Sequence, residues 1–282
     1  MRRASLAVSL AVALSLVAGP ARAAEPGDRI RYDAPTSLPL TLGATAVWIG
    51  TEFPLKRALA PDSCRWCDRD DEGRERLNAL DASMRDRLRW DDVDAPRRVS
   101  DGLLFAGVPA VALGGMWLAA RHDGREDEFG ENAVMMFEAV AVSMTLNQAA
   151  KFLLARQRPY IHFARHGPAS RLPDSDDNLS FYSGHAAVTL SLAAASGTIA
   201  SLRGYRRGAM AWVPSAILAT TTGYLRIACD RHYFTDVLAG IAVGAAVGLA
   251  LPRAMHERDL AAGDESGAAA RSIPVAVVRW RW

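Results

Sequence analysis

The sequence predicts an all-α helical bundle, embedded in a membrane and built around five long apolar runs. Three observations carry that expectation. Half of the 282 residues are hydrophobic but only 7% are aromatic. Ala and Gly fill the apolar runs, which suits close-packed helices better than the β-branched and aromatic strands of a sandwich. The runs cover roughly 103–120, 133–154, 186–202, 209–227 and 237–251, each about as long as a spanning helix or a long buried one. The last carries Gly240, Gly244 and Gly248 at four-residue spacing, so one helix face admits a close neighbour.

In chain order, residues 1–23 read as a secretory signal. Arg2 and Arg3 precede an apolar stretch from Ser5 to Gly19, and Ala21-Arg22-Ala23 is an A-x-A-type cleavage site. An uncleaved anchor helix is the alternative. Residues 24–100 form an N-terminal region. It opens on a polar, proline-containing linker to about Ser37. An apolar segment from Leu38 to Ala60 follows, broken by Glu52, Pro54, Lys56 and Arg57, so it is expected not to cross a membrane. Between Arg74 and Trp90, the spacing of Leu77, Leu80, Met84 and Leu88 predicts an amphipathic surface helix. Cys64-Arg-Trp-Cys67 carries no following His, which excludes a c-type haem site, and no second pair, which argues against structural zinc. In an exported chain this pair reads as a local disulfide, with two free thiols as the alternative. Residues 101–252 hold the five runs. Residues 253–282 are a polar tail ending in a candidate strand, Ile273–Trp282, with no assigned role. The net charge of +2, with arginines scattered among acids, points away from nucleic acid.

Three clusters carry the chemistry. In Lys151-Phe-Leu-Leu-Ala-Arg-Gln-Arg158-Pro159 the two outer cations are seven residues apart, two turns of a continuous helix, and share a face. Cations at the end of an apolar helix are costly to bury without an anion, although snorkelling to a surface accounts for them too. In Ser180-Phe-Tyr-Ser-Gly-His185 the Ser183 hydroxyl is a candidate N-cap, Gly184 allows close backbone approach, and the positive helix end attracts anions. In Arg226-Ile-Ala-Cys-Asp-Arg-His232-Tyr-Phe-Thr-Asp236 the His and Asp stand at i, i+4. On one helix Asp236 would hydrogen-bond one His232 nitrogen and leave the other free to attack. Arg226 reaches the same pocket only if the chain bends near Asp230. Read jointly, these groups suit phosphoryl transfer: cations and amides hold the phosphoryl oxygens, one His attacks and the other protonates the leaving oxygen.

The ordered pattern Lys-x6-Arg-Pro, Ser-Gly-His and Arg-x5-His-x3-Asp resembles the type 2 phosphatidic acid phosphatase superfamily, which includes vanadium haloperoxidases. The resemblance covers roughly residues 100–252 and implies that family's helical bundle. It implies phosphate binding by Lys151, Arg158, Arg226, Ser183 and the Gly184 amide. It implies His185 as general acid, His232 as the nucleophile that becomes phosphohistidine, and Asp236 as its orienter, with no metal and no cofactor. Tyr182 stands where the family commonly has Pro, and Leu225 where it commonly has Ser. Those departures bear on substrate preference.

Other candidates are weaker. Asp174, Asp176 and Asn178 begin like a calcium loop, but Leu179 and His185 occupy the positions needed for Gly and Glu, so a solvated acidic loop is the better reading. His162 and His166 read as surface residues. The loop 203–208, with Arg203, Arg206 and Arg207, belongs in the cytoplasm by charge, which places the active site on the periplasmic side in a five-span arrangement. A soluble periplasmic enzyme is the rival, supported by Glu138, Asn147 and Gln148 within one run. The expected partner is a phosphorylated lipid or small phosphoester. Vanadate-dependent halide oxidation and a non-catalytic anion-binding role are the other functional readings.

Overall fold

The computed structural model describes residues 29–70, 72–164 and 174–257. The signal segment, the candidate C-terminal strand and His166 lie outside them. Eight helices of at least nine residues are described: α1 (Ala34–Glu52), α2 (Ala79–Leu88), α3 (Asp94–Gly102), α4 (Val108–His122), α5 (Phe129–Leu154), α6 (Gly184–Leu202), α7 (Ala209–Ala228) and α8 (Phe234–His256). A π-helical turn, Leu103–Gly107, joins α3 to α4 without a break. Among the described residues there are isolated bridges but no strands.

α6 is the central helix, enclosed by α4, α5, α7 and α8. α8 lies closest, and its glycines are the reason. A Cβ at Gly240 would stand 2.5 Å from the Ser183 carbonyl oxygen and one at Gly248 2.5 Å from that of Ser191, while one at Gly244 would meet the Ala187 carbonyl oxygen. The four-residue stripe on α8 is thus matched by a four-residue stripe of backbone on α6, as the spacing predicts.

The N-terminal region departs from expectation at two points. α1 begins at Ala34, inside the expected linker, because Ser37 is buried and donates to Glu138 Oε2 at 2.7 Å. The Leu38–Ala60 segment, expected not to cross, contains most of α1, which packs along α5 and is not among the helices long and apolar enough to cross a membrane. Arg29 and Arg31 donate backbone hydrogen bonds to Leu202 and His256 at one end, while Glu52 accepts from Gln148 at the other. Finally, α2 is shorter than the predicted 74–90 helix. It turns Asp81 inward rather than the leucine stripe, leaving Leu80 exposed, because Asp81 pairs with a buried arginine described below.

Four helical segments, 94–122, 126–154, 184–202 and 234–256, are long and apolar enough to cross a membrane by length and composition. The fifth expected span, α7, is not among them. Phe105, Leu118, Leu146, Leu153 and Leu238 point outward. Glu138, Asn147 and Gln148 point inward: Glu138 to Ser37 and His256, Asn147 to the Tyr182 carbonyl, and Gln148 to Glu52. Polar groups turned into a bundle are compatible with lipid outside it, so these three residues do not favour the soluble reading.

Candidate active site

The three sequence clusters converge at one end of the bundle, where α5 and α7 finish and α6 and α8 begin. The loop 203–208 lies at the opposite end of α6 and α7. Ser183 caps α6, its Oγ accepting from the Ala186 amide at 3.4 Å and its own amide donating to the Asp236 carbonyl at 3.0 Å. The amides of Gly184 and His185, in the first turn, have no intrahelical acceptor. Gly184 packs closely on Asn147: a Cβ there would stand 2.9 Å from Oδ1, so that side chain would have to shift.

The bend expected near Asp230 is present. α7 ends at Ala228, and Asp230 takes a left-handed conformation with φ +59°. Arg85 holds that turn with two hydrogen bonds of 2.7 Å to the Asp230 carboxylate. The chain then doubles back and buries His232. Nδ1 of His232 lies 2.8 Å from the Ser180 carbonyl oxygen, and Nε2 lies 3.3 Å from Arg158 Nη1. A carbonyl only accepts and a guanidinium only donates, so the network assigns the proton to Nδ1 and the lone pair to Nε2. Burial, followed by the charges of Arg158, Arg226 and Lys151, holds the imidazole well below its ordinary pKa of 6.5. The ring is therefore neutral near pH 7.

Asp236 corrects an expectation. His232 precedes α8 and Asp236 lies in its first turn, so the two do not share a helix. Nδ1 is 3.8 Å from Asp236 Oδ2, within ion-pair range but beyond a hydrogen bond. Asp236 accepts from Ser180 Oγ at 2.6 Å and from the Tyr233 amide at 3.0 Å, and thus reaches His232 through Ser180. Lys151 and Arg158 also differ from the two-turn prediction. α5 stops at Leu154, Ala155 is left-handed at φ +46°, and Arg158 lies beyond the helix. Its guanidinium is positioned by the Asp176 and Arg231 carbonyls at 2.8 and 3.0 Å.

Donor capacity left unused on two buried cations is informative. Arg226 Nε is buried and lacks a hydrogen-bond partner among the described residues. Lys151 is buried with no hydrogen bond or ion pair among them. Nearby, Lys56 stands 2.7 Å from both Glu52 and Asp176. Burial works to raise the Asp176 carboxyl, but Arg158, Lys151 and Lys56 override it and hold the group far below the usual carboxylate range. Within the acidic loop, Asp176 thus faces the cations of the site, while Asp174 stays exposed.

Two essential neighbours were not foreseen. Asp101 Oδ1, on α3, lies 2.9 Å from His185 Nε2 and 3.2 Å from Arg226 Nη1, bridging two predicted site residues. Arg156 is fully buried and meets three carboxylates: Asp68 at 3.0 Å, Asp81 at 2.9 Å and Asp236 at 2.6 Å. Its guanidinium is sandwiched between the rings of Trp66 and Tyr233, at 4.2 and 4.0 Å. Trp66 sits inside the Cys64–Cys67 loop, which is closed by a disulfide. His162, expected at the surface, is only 4% exposed. It contacts the Cys67 carbonyl at 3.2 Å and Glu75 at 2.9 Å, tying that loop down. Neither Asp101 nor Arg156 belongs to a spacing pattern; their partners are distant in sequence.

At the departure positions, Tyr182 and Leu225 are both buried, and the Tyr182 carbonyl accepts from Asn147 at 2.7 Å. Among the described residues, no group of three or more His, Cys, Asp or Glu is arranged to hold a metal ion. Residues 132–260 match the family model of the PAP2 superfamily. No curated protein and no solved structure matches the chain. The match supports a phosphatase-type activity in broad terms, and it covers every predicted site residue while excluding Asp68, Asp81 and Asp101. Helical architecture, motif order and this match agree: through residues 132–260, the chain is similar to the PAP2 superfamily.

Proposed function

We propose that the protein is a metal-independent phosphatase that hydrolyses a phosphomonoester or diphosphate, carried by a lipid, through a phosphohistidine intermediate. The observation that carries this is the buried His232, whose Nε2 lone pair is turned toward Arg158 while Nδ1–H is anchored on Ser180. A phosphoryl group at this end of the bundle is held by Lys151, Arg158 and Arg226, together with Ser183 and the Gly184 amide. Nε2 attacks phosphorus, a P–N bond forms, and the bond to the leaving oxygen breaks. The leaving oxygen takes a proton from His185 in its imidazolium form, which Asp101 stabilises by accepting from Nε2 and which is left as the neutral ring. Water then attacks the phosphohistidine, returning that proton to His185 as the P–N bond breaks and phosphate departs. The cations neutralise the charge that grows on the phosphoryl oxygens, and no step requires a metal.

The lipid assignment is supported by the outward apolar side chains and the four candidate spans. The site end belongs on the exported side. The disulfide, which forms in oxidising compartments, is at this end, and the arginine-rich loop 203–208 is at the other.

The test is phosphate release by detergent-purified protein, with EDTA present, from a panel of lipid phosphates and one aryl phosphate. Wild type should release phosphate, vanadate should block it, and His232→Ala should abolish it. Equal release by the variant would overturn the role of His232, and release that requires added metal would overturn the mechanism.

A further inference from the structure

Beside the histidine loop lies a cavity of about 540 Å³. Its wall carries four arginines, Arg85, Arg89, Arg97 and Arg231, against two aspartates, Asp94 and Asp230. Arg85 and Arg89 both turn to the single Asp230 carboxylate, at 2.7 and 3.4 Å, and Arg97 pairs with Asp94 at 3.1 Å. Arg231 has no carboxylate partner among the described residues; its guanidinium lies 4.8 Å above the Tyr160 ring. The cavity therefore holds an excess of fork-shaped cationic donors, one of them without a carboxylate partner among the described residues.

Three stretches of chain line both this cavity and the phosphate-binding end. On α3, Arg97 faces the cavity, and Asp101, one turn later, bridges His185 and Arg226. In the loop, Arg231 immediately precedes His232. Arg158 donates to the Arg231 carbonyl at 3.0 Å and approaches His232 Nε2 at 3.3 Å, and two residues on, Tyr160 forms part of the wall. Along α3, the cavity residue Arg97 and the bridging residue Asp101 are thus about one helical turn apart, roughly 5–6 Å. Arginine forks bind phosphate bidentately and with directional specificity.

We propose that this cavity is a subsite for a second phosphate group on the substrate, beyond the one that is cleaved. The inference rests on the phosphatase reading and narrows it: the preferred substrate carries two phosphates, either directly joined or separated by a short linker. Arg85, Arg89 and Arg97 come from the N-terminal region outside the matched residues 132–260, so the preference is added to the common site from outside it.

The test is equilibrium binding of three non-hydrolysable probes to the full chain in detergent: methylphosphonate, methylenebisphosphonate and propane-1,3-bisphosphonate. One bisphosphonate should bind wild type about 10- to 100-fold more tightly than methylphosphonate, as expected of charge-assisted hydrogen bonds. Which one does so distinguishes joined from separated phosphates. That ratio should fall toward one in R97Q/R231Q and be partly restored in R97Q/R231K, with thermal unfolding confirming that both variants fold. A ratio near one in wild type, or one that survives in R97Q/R231Q, would overturn the subsite. Because binding needs no turnover, the two readings fail separately. A retained ratio without phosphate release would sink the phosphatase reading alone, and release without a ratio would sink the subsite alone.

Discussion

The Ser180 carbonyl oxygen lies 2.8 Å from His232 Nδ1, so a backbone atom rather than a side chain determines which ring nitrogen is free. Asp236 acts on His232 through the Ser180 hydroxyl, 2.6 Å away. Ser180→Ala keeps the carbonyl but removes that tie, so kcat/KM should drop roughly 10-fold, the worth of one charge-assisted hydrogen bond. Asp236→Asn also strips a charge from the buried Arg156 and should lower activity further. Steady-state kinetics on an aryl phosphate checks both. A Ser180→Ala loss as large as that of His232→Ala would mean that Ser180 itself takes part in the chemistry.

Arg156 balances three buried carboxylates. Arg156→Met should lower stability by about 3–5 kcal/mol, since removing one partner strands the charges of the others. Thermal unfolding measures this directly. A variant as stable as wild type would show that Asp68, Asp81 and Asp236 find other partners.

A Cβ at Gly244 would press on the Ala187 carbonyl oxygen. Gly244→Val should therefore push α8 away from α6 and destabilise the fold by about 1–3 kcal/mol, as overpacking does. Gly43, in contrast, has open space around its missing Cβ, so Gly43→Ala should be close to neutral. Unfolding midpoints of the two variants should separate accordingly. Equal midpoints would mean that the α6–α8 contact yields without strain.

The depressed pKa of His232 sets the pH dependence. The folded imidazole resists protonation, whereas the unfolded one takes up a proton below about 6.5. The neutral ring's contribution to stability is complete above that value and is lost as pH falls below it. In kinetics, the acid limb of kcat/KM should lie well below 6.5 after correction for ionisation of the substrate. A limb centred on 6.5 would show an imidazole with ordinary exposure.

Intact cells expressing the protein should hydrolyse a membrane-impermeant aryl phosphate, because the disulfide and the active site share one end of the bundle. Activity only after lysis would reverse the orientation. N-terminal sequencing adds a second decision. α1 starts at the end opposite the site, so a bundle inserted with its site outward has residue 29 on the cytoplasmic face. Cleavage after Ala23 would instead deliver residue 29 to the exported face. Cleavage therefore goes with a bundle exported whole, as does an uncleaved anchor helix that crosses.

Much of this architecture is legible in the sequence because it depends on local spacing. The apolar runs mark the long helices, the Gly240–Gly248 stripe marks the closest helix pair, and the bend at Asp230 follows from needing Arg226 and His232 in one pocket. What escaped depends on distant partners. Asp101 bridges residues 84 and 125 positions away, and Arg156 collects acids from three separate stretches. The i, i+4 spacing of His232 and Asp236 suggested a helical pair, but the helix begins only after the His. His162 looks like a surface residue until Glu75 and the Cys67 carbonyl are brought onto it.

The arrangement around Arg156 has an engineering consequence. Asp236 lies within the family-matched stretch, as does Arg156, but Asp68 and Asp81 do not. A graft of residues 132–260 into another scaffold would carry every predicted site residue and still arrive without two of the three carboxylates that surround Arg156. The portion recognisable by kinship is therefore not a transplantable module. Its smallest portable form begins upstream of the disulfide loop.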